Sequence, residues 1–151
     1  MAAKRWFRKS AGAVAYRSGL EDNIAKQLEA KGIPVSFESH HLNYTKPETK
    51  HKYTPDFILP NGIIIESKGL FDVEDRKKHL LIKEQYPELD IRFVFSRAAT
   101  KLYKGAKSTY ADWCEKYGFR YADKLIPVNW LKEPTIVIPE GILIPKKGGE
   151  A

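Results

Sequence analysis

The order of hydrophobic patterns along the chain predicts an α/β (α+β) fold, a mixed sheet with helices on its faces. Leu20, Ile24 and Leu28 recur at the spacing of an amphipathic helix. Two β-branched or aromatic runs, Phe57 to Leu59 and Ile63 to Ile65, flank Pro60-Asn61-Gly62, the composition of two buried strands joined by a tight turn. Helix-like and strand-like segments then alternate through the rest of the chain, which favours strands covered by helices over a purely helical or purely β architecture.

Taken in order, Ser18-Gly19-Leu20-Glu21 opens the first helix and Gly32 stops it. Ser18 and Glu21 have the spacing of a capping box, in which the glutamate side chain returns to the Ser18 amide. Ile33 to Ser39 and His41 to Tyr44 read as strands. Lys46-Pro47-Glu48-Thr49-Lys50 is polar and contains a proline, so it is excluded from a central strand and reads as a hinge or a crossover. Beyond the apolar hairpin, Asp72 is the N-cap of a helix from about Val73 to Gln85. Ile91 to Phe95 is a strand. Ser96 to Lys107 is a loop in which Arg97, Lys101, Lys104 and Lys107 surround Tyr103. Ser108 caps a helix ending before Gly118, with Tyr110, Trp113 and either Cys114 or Tyr117 facing inward. Arg120 to Ile126 reads as the last strand, Pro127 to Lys132 as a helical turn, and residues 134–151 as an extended tail.

A chain of 151 residues, 42% of them hydrophobic, forms one domain with a substantial core. No apolar run approaches the ~18 residues of a membrane span, and the N-terminus lacks the apolar stretch of a secretory signal. The expectation is a soluble protein, without membrane or small-molecule partners, that stays in the compartment where it is made. The single cysteine, Cys114, excludes an internal disulfide framework and a cysteine-based zinc cluster; it reads as a small buried residue. His40, His41, His51 and His79 lack metal-ligand spacing and read as surface or interface residues. The net charge of +7 is uneven: Lys4, Arg5, Arg8, Lys9 and Arg17 stand in the first 17 residues without an acid. Residues 1–16 therefore read as a flexible basic arm suited to phosphates.

The chemistry concentrates in the hairpin. Asp56, Glu66 and Lys68 sit within or beside buried apolar runs, where ionised groups are costly unless paired or bound to a cation. That is the layout of a metal-dependent phosphodiesterase. Glu66 and Lys68 share one face of their strand, roughly 7 Å apart. A two-residue turn would pair Asp56 with Ser67, whereas a three-residue loop with Gly62 in the left-handed region pairs Asp56 with Glu66, so the chemical reading requires the longer loop. Two carboxylates and the Ser67 backbone carbonyl suit a hard cation such as Mg²⁺, with Mn²⁺ able to substitute. Lys68 would orient or deprotonate a water, or stabilise charge developing on phosphorus. The same spacing also describes a surface hairpin with a Glu66 to Lys68 ion pair. Arg76 and Lys77, in a helical run that ordinarily faces solvent, and Lys101 and Lys104, in the basic loop, are candidate contacts to a phosphate backbone.

Several separated blocks carry a resemblance. Arg17-Ser18-Gly19-Leu20-Glu21-Asp22, Tyr53-Thr54-Pro55-Asp56-Phe57, Glu66-Ser67-Lys68-Gly69-Leu70, Asp75-Arg76-Lys77-Lys78-His79-Leu80 and Thr100-Lys101-Leu102-Tyr103-Lys104-Gly105 closely resemble phage endonuclease I, the Holliday-junction resolvases of T-seven-type phages. The resemblance covers residues 12 to 133 or so and weakens at the arm and the tail. It implies a restriction-endonuclease-like PD-(D/E)XK core over residues 17–133, cleavage of four-way junctions and other branched DNA by paired nicks, and a domain-swapped homodimer acting in the host bacterial cytoplasm. Asp56 and Glu66 would then be metal ligands, Lys68 the catalytic lysine, and Glu21 a further carboxylate for a second Mg²⁺, in place of its capping role. A crossover at about residues 44–52 would bring Glu21 of one chain to the other's site. The competing functions are a restriction-type or damage nuclease on linear duplex, and a non-catalytic basic DNA-binding module.

Overall fold

A computed structural model describes residues 19–46 and 49–146. Four helices are present among them: α1 (Gly19–Ala30), α2 (Val73–Gln85), α3 (Tyr110–Tyr117) and α4 (Val128–Leu131). The strands are β1 (Ser36–Phe37), β2 (His40–Lys46), β3 (Thr49–Tyr53), β4 (Phe57–Ile58), β5 (Ile64–Lys68), β6 (Ile91–Phe95), β7 (Tyr121–Asp123) and β8 (Ile144–Pro145). The main sheet is mixed, in the order β1-β4-β5-β6-β7. Its first two pairings are antiparallel, and β5-β6 and β6-β7 are parallel. A second, antiparallel sheet has the order β3-β2-β8.

Strand alternation divides the core. Ile64, Phe93 and Phe95 face a cluster completed by Phe71, Ile82, Tyr110, Trp113 and Cys114, together with Leu42, Tyr44 and Tyr53 from the second sheet. Ile63, Ile65 and Val94 face the opposite cluster, with Ile24, Ala25 and Leu28 of α1, Ile126 and Trp130. The expected layers are therefore present: a mixed sheet between helices. No helix among the described residues is long and apolar enough to cross a membrane.

The β4-β5 hairpin takes the longer loop. Phe57 pairs with Ile65 and Ile58 with Ile64, and the Leu59 amide donates to the Ile63 carbonyl at 2.9 Å. Pro60, Asn61 and Gly62 are left as the loop, and Gly62 has φ +91°, a conformation that glycine adopts without a side-chain penalty. One step further along the same register, Asp56 stands across from Glu66.

Other boundaries differ from expectation for local reasons. The segment 33–39 keeps only Ser36–Phe37 as strand, since Pro34 lacks an amide donor and Glu38 turns the chain at φ +47°. Thr109, not Ser108, caps α3: its side chain accepts from the Asp112 amide while Asp112 returns to the Thr109 amide. The last strand is confined to Tyr121–Asp123. Where Lys46 to Lys50 suggested a hinge or crossover, one chain closes as a hairpin, with Lys46 opposite Thr49 and Leu42 opposite Tyr53; residues 47–48 lie outside the described ones. The tail is tied down through Ile144–Pro145, which pair with His40 and His41. His79 is a core residue rather than a surface one. Its ring meets those of Tyr53 and Phe93 edge-on at centroid distances of 5.0 and 4.8 Å, and burial holds its pKa well below the usual range.

Candidate metal centre

The hairpin register and the alternation of β5 bring Asp56, Glu66 and Lys68 together. Glu66 lies between Ile65 and Ser67 on the face shared with Phe93, which explains its burial. Asp56 is fixed by its neighbour strand: the Ser67 amide and hydroxyl both donate to Asp56 Oδ2 at 2.9 Å. Ser67, expected to contribute through its carbonyl, thus also acts as the anchor of the first carboxylate. The Tyr53 hydroxyl donates to Glu66 Oε1 at 2.6 Å. Lys68 Nζ lies 3.7 Å from Glu66 Oε2 and 3.1 Å from Asp75 Oδ1.

Glu21 joins this group within one chain. Oxygen atoms of Glu21, Glu38 and Asp56 all lie within 4.8 Å of one another, and Glu21 and Asp56 are buried. Glu38 was not singled out in the sequence. Because Phe37 pairs with Phe57, the following residue falls opposite Asp56, and the Glu38 amide donates to the Asp56 carbonyl at 3.0 Å. An acid at the end of an apolar run was visible, but its meeting with Asp56 depends on β1 pairing with β4 across 20 residues of chain, a contact that local pattern does not encode.

The electrostatics are those of carboxylates crowded together under burial. Burial, and then the charge of Asp56, push the Glu66 carboxyl up to about 8, against the pull of Lys68 and Tyr53. Burial also raises Asp56, which the Ser67 hydrogen bonds only partly offset. Burial works against the Lys68 ammonium, but Glu66 and Asp75 outweigh it and raise its pKa. Glu21, Glu38 and Asp56 thus form one close group, while Glu66 lies outside it, couples to Asp56 through charge and stands beside Lys68. The donors are all oxygen, with no histidine or cysteine in the described acidic cluster, so the set fits a hard divalent cation such as Mg²⁺.

The expected DNA contacts divide. Lys4, Arg5, Arg8, Lys9 and Arg17 lie outside the described residues. Arg76 is only partly available, because its Nη1 donates to the Phe71 and Leu102 carbonyls at 2.7 and 3.4 Å. Lys77, Lys101 and Lys104 are exposed, although Lys101 Nζ also donates to the Ala106 carbonyl at 3.0 Å.

Comparison with known proteins places the chain in a family. The profile of the family described as phage endonuclease I matches residues 1–150. Endonuclease I of Escherichia phage T7 is 57% identical over 136 residues, 90% of this chain and 91% of that protein. Endodeoxyribonuclease 1 of Enterobacteria phage T3 is 59% identical over 134 residues, 89% of this chain and 88% of that protein.

Proposed function

The chain belongs to the phage endonuclease I family, and we propose that it is a Mg²⁺-dependent endonuclease that resolves four-way DNA junctions by paired nicks. The observation that carries this reading is the convergence of Glu21, Glu38 and Asp56 beside the buried Glu66 and Lys68. Asp56 and Glu66, with the Ser67 carbonyl, are the residues that would hold one cation; Glu21 and Glu38, with Asp56, would hold a second. Held by these residues, divalent cations would supply positive charge beside the scissile phosphodiester and Lewis-acid activation of water.

The remaining steps belong to the protein. Ser67 occupies Asp56 Oδ2 and leaves Oδ1 for a ligand. Tyr53 occupies Glu66 Oε1 and leaves Oε2 on the side of Lys68. Lys68, kept as an ammonium by Glu66 and Asp75, stabilises negative charge as it develops on the phosphoryl oxygens. The arm residues Lys4, Arg5, Arg8, Lys9 and Arg17, with Lys77 and Lys104, contact phosphates along the arms of the junction.

The reading extends to an exchanged homodimer. Glu21 and Glu38 precede the pairing of β2 with β3, while Asp56, Glu66 and Lys68 follow it. Exchange between β2 and β3 would preserve the contacts described above and divide each site between two chains.

Incubating the full chain and Mg²⁺ with a four-way junction and a sequence-matched linear duplex tests the function. Paired nicks near the branch, dependent on Mg²⁺ and at least tenfold faster than cleavage of the duplex, are expected. Equal cutting of both substrates would assign it to nucleases of linear DNA. Binding without cleavage in Mg²⁺ or Mn²⁺ would leave a DNA-binding module.

A further inference from the structure

Three large apolar side chains stand exposed beside the site: Leu70 at 70%, Tyr103 at 67% and Val73 at 49%. Leu70 and Val73 stand three positions apart, and the segment that carries Tyr103 is tied to theirs by one side chain. Arg76 Nη1 donates to the carbonyls of Phe71 and Leu102 at once, which fastens the residue after Leu70 to the residue before Tyr103. Asp75, adjacent to Arg76, is the residue that holds Lys68. Leu70 itself follows Lys68 by only two positions.

The turn that presents Tyr103 is rigid. The Leu102 amide donates to the Ser108 carbonyl and the Ala106 amide to the Tyr103 carbonyl, each at 3.0 Å. Lys101 Nζ closes on the Ala106 carbonyl, Lys101 bridges to Thr109, and Gly105 supplies the positive φ of +87°. An aromatic ring held outward on a fixed turn has lost the chance to bury itself in its own chain. In the same loop Lys101, Lys104 and Lys107 are exposed, as is Lys77 next to Arg76, a set of charges that favours a polyanion over an apolar protein surface.

Phosphates satisfy the lysines but have no use for the ring and the aliphatic side chains. Bases do, because every base has a face on which an aromatic side chain stacks. A continuous duplex hides those faces, whereas a branch point interrupts stacking and exposes them. We propose that Tyr103 is a stacking platform for a base exposed at the branch, and so sets the preference for branched over linear DNA. This rests on the reading of branched DNA as the substrate. The platform places the discontinuity beside Lys68, so that recognition and cleavage coincide.

The test is equilibrium binding of the full chain in chelator to a four-way junction carrying 2-aminopurine at the branch, and to a linear duplex carrying it at its centre. Tyr103→Ala should weaken junction binding about tenfold while linear binding stays within twofold. Tyr103→Phe should bind as the parent does. The parent and Tyr103→Phe should alter 2-aminopurine emission at the branch, and Tyr103→Ala should not. An equal loss on both DNAs, no loss on the junction, or a change of sedimentation in Tyr103→Ala without DNA would overturn the proposal, the last by assigning the patch to a second copy of the chain. A parent protein with no preference for the junction would remove the substrate reading itself, and the inference with it, which separates that failure from a fault in Tyr103 alone.

Discussion

Burial sets the chemistry of Glu66. Its carboxyl is pushed up from 4.5 to about 8, so in the absence of a cation the fold favours the neutral acid. A folded-state pKa above the unfolded one contributes stability that is complete below about 4.5 and is lost as pH rises through about 8. Glu66→Gln imitates the neutral acid and keeps an oxygen that accepts from Tyr53. In chelator at pH 8 the variant should therefore be more stable than the parent, by an amount on the order of a few kcal/mol, and the gap should close by pH 5. Mg²⁺ should raise the melting temperature of the parent at pH 8 by more than that of the variant, which keeps Glu21, Glu38 and Asp56, while the variant loses cleavage. Thermal melts across pH decide this, and a variant less stable than the parent at pH 8 would refute it. Tyr53 is a neighbour whose part the sequence concealed. It lies in a polar strand, and only the folding of the second sheet over β5 brings its hydroxyl to Glu66.

The elements legible in the sequence are those whose reason is local. The β4-β5 hairpin follows from two apolar runs around Pro60-Asn61-Gly62, and α2 follows from its Asp72 cap, which accepts from the Asp75 amide at 2.9 Å. The hairpin's loop also has a partner that no local pattern announces. The Ile136 amide donates to the Asn61 carbonyl at 2.7 Å, and a methyl group built on Gly62 would collide with the Ile136 carbonyl oxygen. Gly62→Ala thus adds a clash to an unfavourable positive φ, and should cost about 2 to 4 kcal/mol. A melting temperature within two degrees of the parent would show that loop and tail part easily. Elements whose reason is distant were read poorly. The polar run Thr49 to Lys52 gives no apolar alternation, yet it forms β3 because Tyr53, at its end, packs in the core. Glu38 and the Ile144–Pro145 strand likewise owe their positions to remote partners. Arg92 follows the same rule. Buried in β6, it is satisfied by Asp90 next to it and by Glu133 from beyond α4, both at 2.7 Å.

At the scale of the whole molecule, the β2-β3 hairpin separates the site's acids into two sets. A chain that folds alone supplies Glu21 to its own Asp56; a pair exchanged through the hairpin supplies it to the partner's. The two arrangements share every side-chain contact, so genetic complementation distinguishes them better than geometry does. Consider Glu21→Ala in one subunit and Glu66→Gln in the other, each inactive as a homodimer because every site carries one defect. In an exchanged heterodimer, one site collects both defects, and the other pairs an intact Glu21 with an intact Glu66. That protein should nick one strand of a four-way junction and fail to cut the second. If each site is completed within a single chain, both sites keep a defect and no nicking occurs. Exchanged subunits do not re-assort without unfolding, so the two forms are to be co-expressed with different tags and purified through both. Single-strand nicking at roughly half the parental rate is the expected result, and its absence in the doubly purified heterodimer would exclude the exchange.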